Sequence, residues 1–165
     1  MSEIDPRLIE ALWTTAQRLS DGADYRWTHM GQCNCGQLAQ TVTHLSKEEL
    51  HRMALEKAGD WGEQALEFCP DSGLPMDHVI SSMLELGLTR RDLHHLELLS
   101  DPDVLGRLPL GRRHLDKRRR EDVVTYMRQW ATLLEERRIA TQEPGNVPKR
   151  LETPVFQAPP ETVDA

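Results

Sequence analysis

The chain predicts an all-α fold: a single irregular bundle of about six or seven helices, followed by a disordered C-terminal tail. Three observations predict it. Apolar residues return every three or four positions through most of the first 140 residues. Helix-start signals recur, as Asp-Pro at positions 5–6 and 101–102 and as Ser46/Glu49 and Thr89/Asp92 capping pairs. No run of alternating or β-branched residues is long enough to make a strand.

Each element follows in order. Asp5-Pro6 opens a helix whose inward stripe is Leu8, Ile9, Leu12, Trp13, Ala16 and Leu19, and Ser20-Asp21-Gly22 ends it. A loop over residues 24–37 leads to a second helix, with Asn34 as its expected cap, Gln37 in a capping-box position, and Leu38, Val42 and Leu45 on its apolar face. Ser46-Lys47-Glu48-Glu49 opens the third, carrying Leu50, Met53 and Ala54 to a stop at Gly59. A short helix is expected from Glu63 to Phe68, before the turn residues Cys69-Pro70-Asp71-Ser72-Gly73. Pro75 starts the next, with Met76, Val79, Ile80, Met83 and Leu84 inward and Gly87 at its C-terminus. Thr89 caps a helix bearing Leu93, Leu96 and Leu99. Asp101-Pro102 then begins one or two turns with Val104, Leu105 and Leu108. The longest helix is expected to begin near Leu115 and to bury Val123, Val124, Met127, Trp130, Ala131 and Leu134. The helical domain is placed at residues 1–140 and a Pro-rich flexible tail at 141–165, where five prolines follow Glu143 without periodicity.

Composition bounds the function. The 165 residues carry a net charge of -7, which argues against broad attraction to nucleic acid or anionic lipid. No stretch approaches the roughly 20 apolar residues of a membrane span, and the acidic start does not read as a signal peptide. Three cysteines make an odd count, so reduced thiols and a cytoplasmic location are expected.

The chemically loaded stretch is the loop over residues 24–37, which holds Tyr25, Trp27, His29, Cys33 and Cys35. Two cysteines at a helix start meet amides and a partial positive charge that favour thiolate. One expectation is therefore a metal site, with His29, Cys33, Cys35 and a distant Cys69 forming a Cys₃His tetrahedron suited to zinc. A second is a reactive thiol, Cys35 or Cys33, in an enzyme or redox protein. A third treats the thiols as small buried apolar groups under a loop folded onto the core.

Two further stretches carry candidate chemistry. Residues 82–98 can be read as a helix-turn-helix with Gly87 at the corner and Arg90, Arg91, His94 and His95 facing outward. The same corner joins helices in many bundles that never meet DNA. Residues 112–120 hold Arg112, Arg113, Lys117, Arg118, Arg119 and Arg120 against one Asp, a local charge of +5 suited to an anionic partner. The expected function is a non-enzymatic interaction or regulatory protein. Its Cys-rich loop is structural or zinc-binding, and the basic segment contacts a protein partner, with no other cofactor expected.

Overall fold

The computed structural model describes residues 3–142. Eight α-helices and one 3-10 turn make up its regular structure. They are α1 (Pro6–Ser20), α2 (Asn34–Thr43), α3 (Lys47–Leu55), α4 (Trp61–Leu66), α5 (Pro75–Glu85), α6 (Arg90–Leu98), α7 (Pro102–Leu105) and α8 (Arg120–Gln142), with the 3-10 turn Leu110–Arg112 before α8. The all-α expectation holds, with slightly more helices than expected. No strand occurs among the described residues. Nor is any helix among them long and apolar enough to cross a membrane. The tail expected over residues 141–165 lies outside the described residues, apart from the two positions by which α8 overruns the boundary placed at 140.

The helix starts follow their local signals. Asp5 accepts the Arg7 amide at 2.8 Å ahead of Pro6, and full capping boxes form at Ser46/Glu49 and Thr89/Asp92. A third box, Asp60/Glu63, moves the start of the short helix from the expected Glu63 to Trp61. Gly87 ends the α5 corner at φ 100°, a conformation that few side-chain-bearing residues adopt. Trp13 departs from expectation by lying at the surface, because it follows the fully buried Leu12 by about 100° of helix rotation.

The described helices between α1 and α8 run only 4 to 11 residues. Short helices raise a particular difficulty, since every end leaves up to four backbone groups without an intrahelical partner. Side chains from other elements solve it. Gln64, fully buried, donates to the carbonyls of Ala54, Lys57 and Gly59 at the end of α3. Lys57 donates in return to the Gln64 and Glu67 carbonyls of α4 and pairs with the buried Asp77 at 2.6 Å. Asn34 reaches the end of α6, where its amide donates to the Leu96 and Glu97 carbonyls at 2.7 and 2.9 Å.

The core is a single cluster built mainly from leucines, alanines and valines. Its most extensive helix pair is α1 with α8, and Tyr126 meets Trp130 edge-on within α8. The second is α4 with α6. Between them lies α2, which touches α1, α3, α5 and α6. The N-terminus of α2, where the cysteines sit, is therefore at the centre of the bundle.

Candidate functional site

The cysteine loop is built around that central position. Cys33, not Asn34, caps α2: its Sγ accepts the Gly36 amide at 3.4 Å and donates to the Met30 carbonyl at 3.7 Å. Asn34 is the first helical residue, fully buried, and is turned to α6. Cys35 is fully buried too, and its Sγ donates to the Leu93 carbonyl at 3.5 Å. Gln37 makes no capping box; its amide donates to the Asp24 and Gln32 carbonyls at 2.6 and 3.1 Å. Gln40 takes the Gly31 carbonyl and the Trp61 indole takes that of Met30. The loop is thus a compact unit whose backbone is satisfied by α2 and α4.

Two glycines make the packing possible. A Cβ on Gly31 would run into the Lys47 carbonyl of α3, and one on Gly36 into the Met30 carbonyl. In both cases the obstacle is main chain, which cannot rotate away as the end of a side chain can.

The titration of these groups follows from burial. Desolvation pushes the Cys33 thiol up to about 12 and the Cys35 thiol well above its ordinary value, outweighing the amides at the helix start. Burial therefore opposes the thiolate that the helix start was expected to favour. His29 stacks on His51 with ring centroids 3.9 Å apart, and each ring accepts a loop amide at Nδ1, from Gly31 and Met30 respectively. Desolvation, then the neighbouring His51, holds His29 below the usual imidazole range. The four expected ligands do not gather: His29 is engaged with His51, the thiols of Cys33 and Cys35 are bonded to carbonyls, and Cys69 lies exposed. Among the described residues no three His, Cys, Asp or Glu side chains are grouped to hold a metal ion.

An interior carboxyl escapes the sequence reading. Glu97 is buried, and its Oε1 accepts the Gly62 amide at 2.7 Å. A Cβ on Gly62 would meet Glu97 Oε1 and His94 Nδ1, each 2.7 Å away, so one of those side chains would have to shift. Desolvation, with the nearby Asp60, raises the Glu97 carboxyl to about 7. Nothing local in the sequence marks it, since Glu97 sits in an ordinary amphipathic helix.

The candidate recognition helix is partly committed to the fold. Arg90 and Arg91 are exposed, but Arg90 donates to the Leu66 carbonyl of α4 and lies over the Phe68 ring at 5.4 Å. His94 Nδ1 is buried beside Gly62, and His95 Nδ1 bonds Ser100 at 2.8 Å.

The basic segment divides in two. Three of its six cations contact the rest of the fold. Arg113 donates to the Leu108 and Gly106 carbonyls at 2.8 and 3.0 Å, closing the end of α7. Arg120 donates to the Ala23 carbonyl at 3.2 Å, and the Lys117 ammonium lies 4.7 Å above the Trp27 ring centre. The other three are presented to solvent. Arg112 and Arg118 make no side-chain hydrogen bond or ion pair among the described residues. Arg119 faces Glu121 at 4.0 Å with both side chains mostly exposed, a pairing of little strength. The helix begins at Arg120 and not near Leu115, so five of the six cations precede α8, in a stretch anchored at both ends. No protein-family model, curated protein or solved structure matches this chain.

Proposed function

We propose that this protein is a non-enzymatic interaction module that binds an acidic protein partner through Arg112, Arg118 and Arg119. One observation carries the reading: the segment is fixed to the body by Arg113, Arg120 and the Tyr25 hydrogen bond to the Lys117 carbonyl, which leaves three guanidinium groups exposed without a strong partner. A rigid mount lowers the ordering penalty that a mobile cationic tail meets on binding. Guanidinium groups suit carboxylates because the planar fork can donate two parallel hydrogen bonds. The net charge of -7 opposes broad attraction for anions, which supports a local contact over a broad electrostatic one.

Within this reading the cysteine loop is a structural support for the mount. Its bonded, protonated thiols favour that role over metal or thiol chemistry. The test is fluorescence anisotropy with labelled Glu/Asp-rich peptides, comparing the full chain with Arg112→Glu/Arg118→Glu/Arg119→Glu. Salt-dependent binding that the triple variant loses is the expected outcome. Equal binding by both proteins, or none by the wild type at low ionic strength, overturns the reading.

A further inference from the structure

The basic segment is joined at three points to the cysteine loop and to Ala23 just before it. The Tyr25 hydroxyl donates to the Lys117 carbonyl at 2.5 Å, Arg120 holds the Ala23 carbonyl, and the Lys117 ammonium covers the Trp27 ring. Trp27 is half-buried, with Arg26 and Thr28 exposed on either side. Resting on the acidic-partner reading, we infer that the binding surface is composite, with Trp27 and Lys117 part of it, and that its ligand is a short peptide segment combining carboxylates with apolar side chains.

The shape of the charge distribution selects the peptide. Exposed carboxylates fringe the patch: Asp24, Asp116 and Glu121. Asp24 pairs with Lys47 at 3.1 Å, and Asp116 accepts the Arg118 amide at 2.9 Å, so both are held in place. A nucleic-acid strand carries a charge at every nucleotide and would have to run past them. A peptide can place its carboxylates opposite the arginines alone.

Lys117 gives the surface a second function. Over a half-buried ring at the surface an ammonium gains only about two- to five-fold in equilibrium terms, and an exposed carboxylate offers a similar attraction. An arriving carboxylate can therefore draw the ammonium off Trp27 with little opposition, uncovering a ring face for an apolar side chain. Leu110, 82% exposed and two residues before Arg112, supplies another apolar contact.

The experiment titrates the full chain with a labelled peptide of glutamates and leucines, and with a single-stranded oligonucleotide of equal charge, at about 0.15 M salt. The peptide is expected to bind more tightly than the oligonucleotide and to change tryptophan emission. Trp27→Phe should lose that change and bind about two- to five-fold more weakly. Lys117→Met, which keeps the ring, should already show altered emission without ligand and should also bind more weakly. Wild-type affinity in both variants, with no emission change on binding, overturns the composite surface. Tighter oligonucleotide binding overturns the peptide assignment. Failure of the acidic-partner reading itself looks different: the triple arginine variant then binds the peptide as well as wild type does, or wild type binds neither probe.

Discussion

The cysteine loop and the basic segment touch each other, yet they treat their polar groups in opposite ways. In the loop, the backbone carbonyls of Asp24, Met30, Gly31 and Gln32 each receive a side-chain donor, and both thiols donate to carbonyls. In the basic segment, half of the cations anchor and half face water. Residue types alone made the loop look like the reactive region, because Cys and His carry more chemistry than Arg. Position weighs the other way: the loop feeds the helix at the centre of the bundle, where burial opposes ionisation of its thiols, whereas the basic segment lies outside it.

That contrast makes the loop the place where a small change should be felt most. Gly31→Ala sets a methyl group against the Lys47 carbonyl, and a backbone contact cannot relax as a side chain does. The expected loss is about 3 kcal/mol, at the upper end for overpacking, measured by urea denaturation. A variant within experimental error of wild type would show that the loop yields, and the description of it as a rigid support would fail.

Glu97 tests the same interior through pH. Its folded-state value near 7 lies above the ordinary 4.5, so between these values the folded protein holds a proton that the unfolded chain has lost. Its contribution is full below pH 4.5, falls as pH rises toward 7 and is flat above, by at most about 3 kcal/mol. Glu97→Gln keeps an oxygen to accept the Gly62 amide and removes the titration. The difference in stability between the two proteins should therefore shift in favour of the variant across that window. His29 acts in the opposite sense, because a lowered imidazole loses stability as pH falls below its ordinary 6.5. Subtracting the two proteins' curves removes the His29 contribution. A pH-independent difference would place Glu97 in water.

Cys33→Ser separates structural thiol from ligand more sharply. The serine hydroxyl is a good helix cap and can repeat both hydrogen bonds of the sulfur, to the Gly36 amide and the Met30 carbonyl. The expected change is below about 1 kcal/mol in either direction, set by a better cap against a less apolar buried atom. A loss of several kcal/mol that chelator reproduces in the wild type would restore the zinc expectation for His29, Cys33, Cys35 and Cys69.

Much of the fold was legible locally, and the site was not, for one physical reason. Helix starts at Asp5-Pro6, Ser46/Glu49 and Thr89/Asp92, and the corner at Gly87, are set by residues within one turn of each other. The use of Asn34 is settled by carbonyls 62 and 63 residues away. Lys117 is placed by Tyr25, 92 residues away, and Arg120 by Ala23, 97 residues away. Capping chemistry announces itself in sequence; whether a cation anchors or is presented depends on what the chain brings back beside it. The start of α8 shows the same limit, since the apolar Leu115 suggested helix, whereas it joins the core from the stretch that precedes α8.

The smallest expected effect lies in the basic segment, and its smallness is informative. Arg112, Arg118 and Arg119 have no strong internal partner, so replacing all three by glutamate removes no stabilising contact. Two of them immediately precede α8, whose free amides favour negative charge over positive. The triple variant should therefore unfold within about 0.5 kcal/mol of wild type, with any shift toward greater stability. The anchoring pair behaves differently: Arg113→Ala and Arg120→Ala each strip charged hydrogen bonds from carbonyls, at about 1 kcal/mol apiece. Parallel thermal melts of the three proteins read the distinction directly. Equal losses in all three would mean that Arg112, Arg118 and Arg119 also hold the fold together, and an exposed guanidinium that the fold requires is not one kept for a partner.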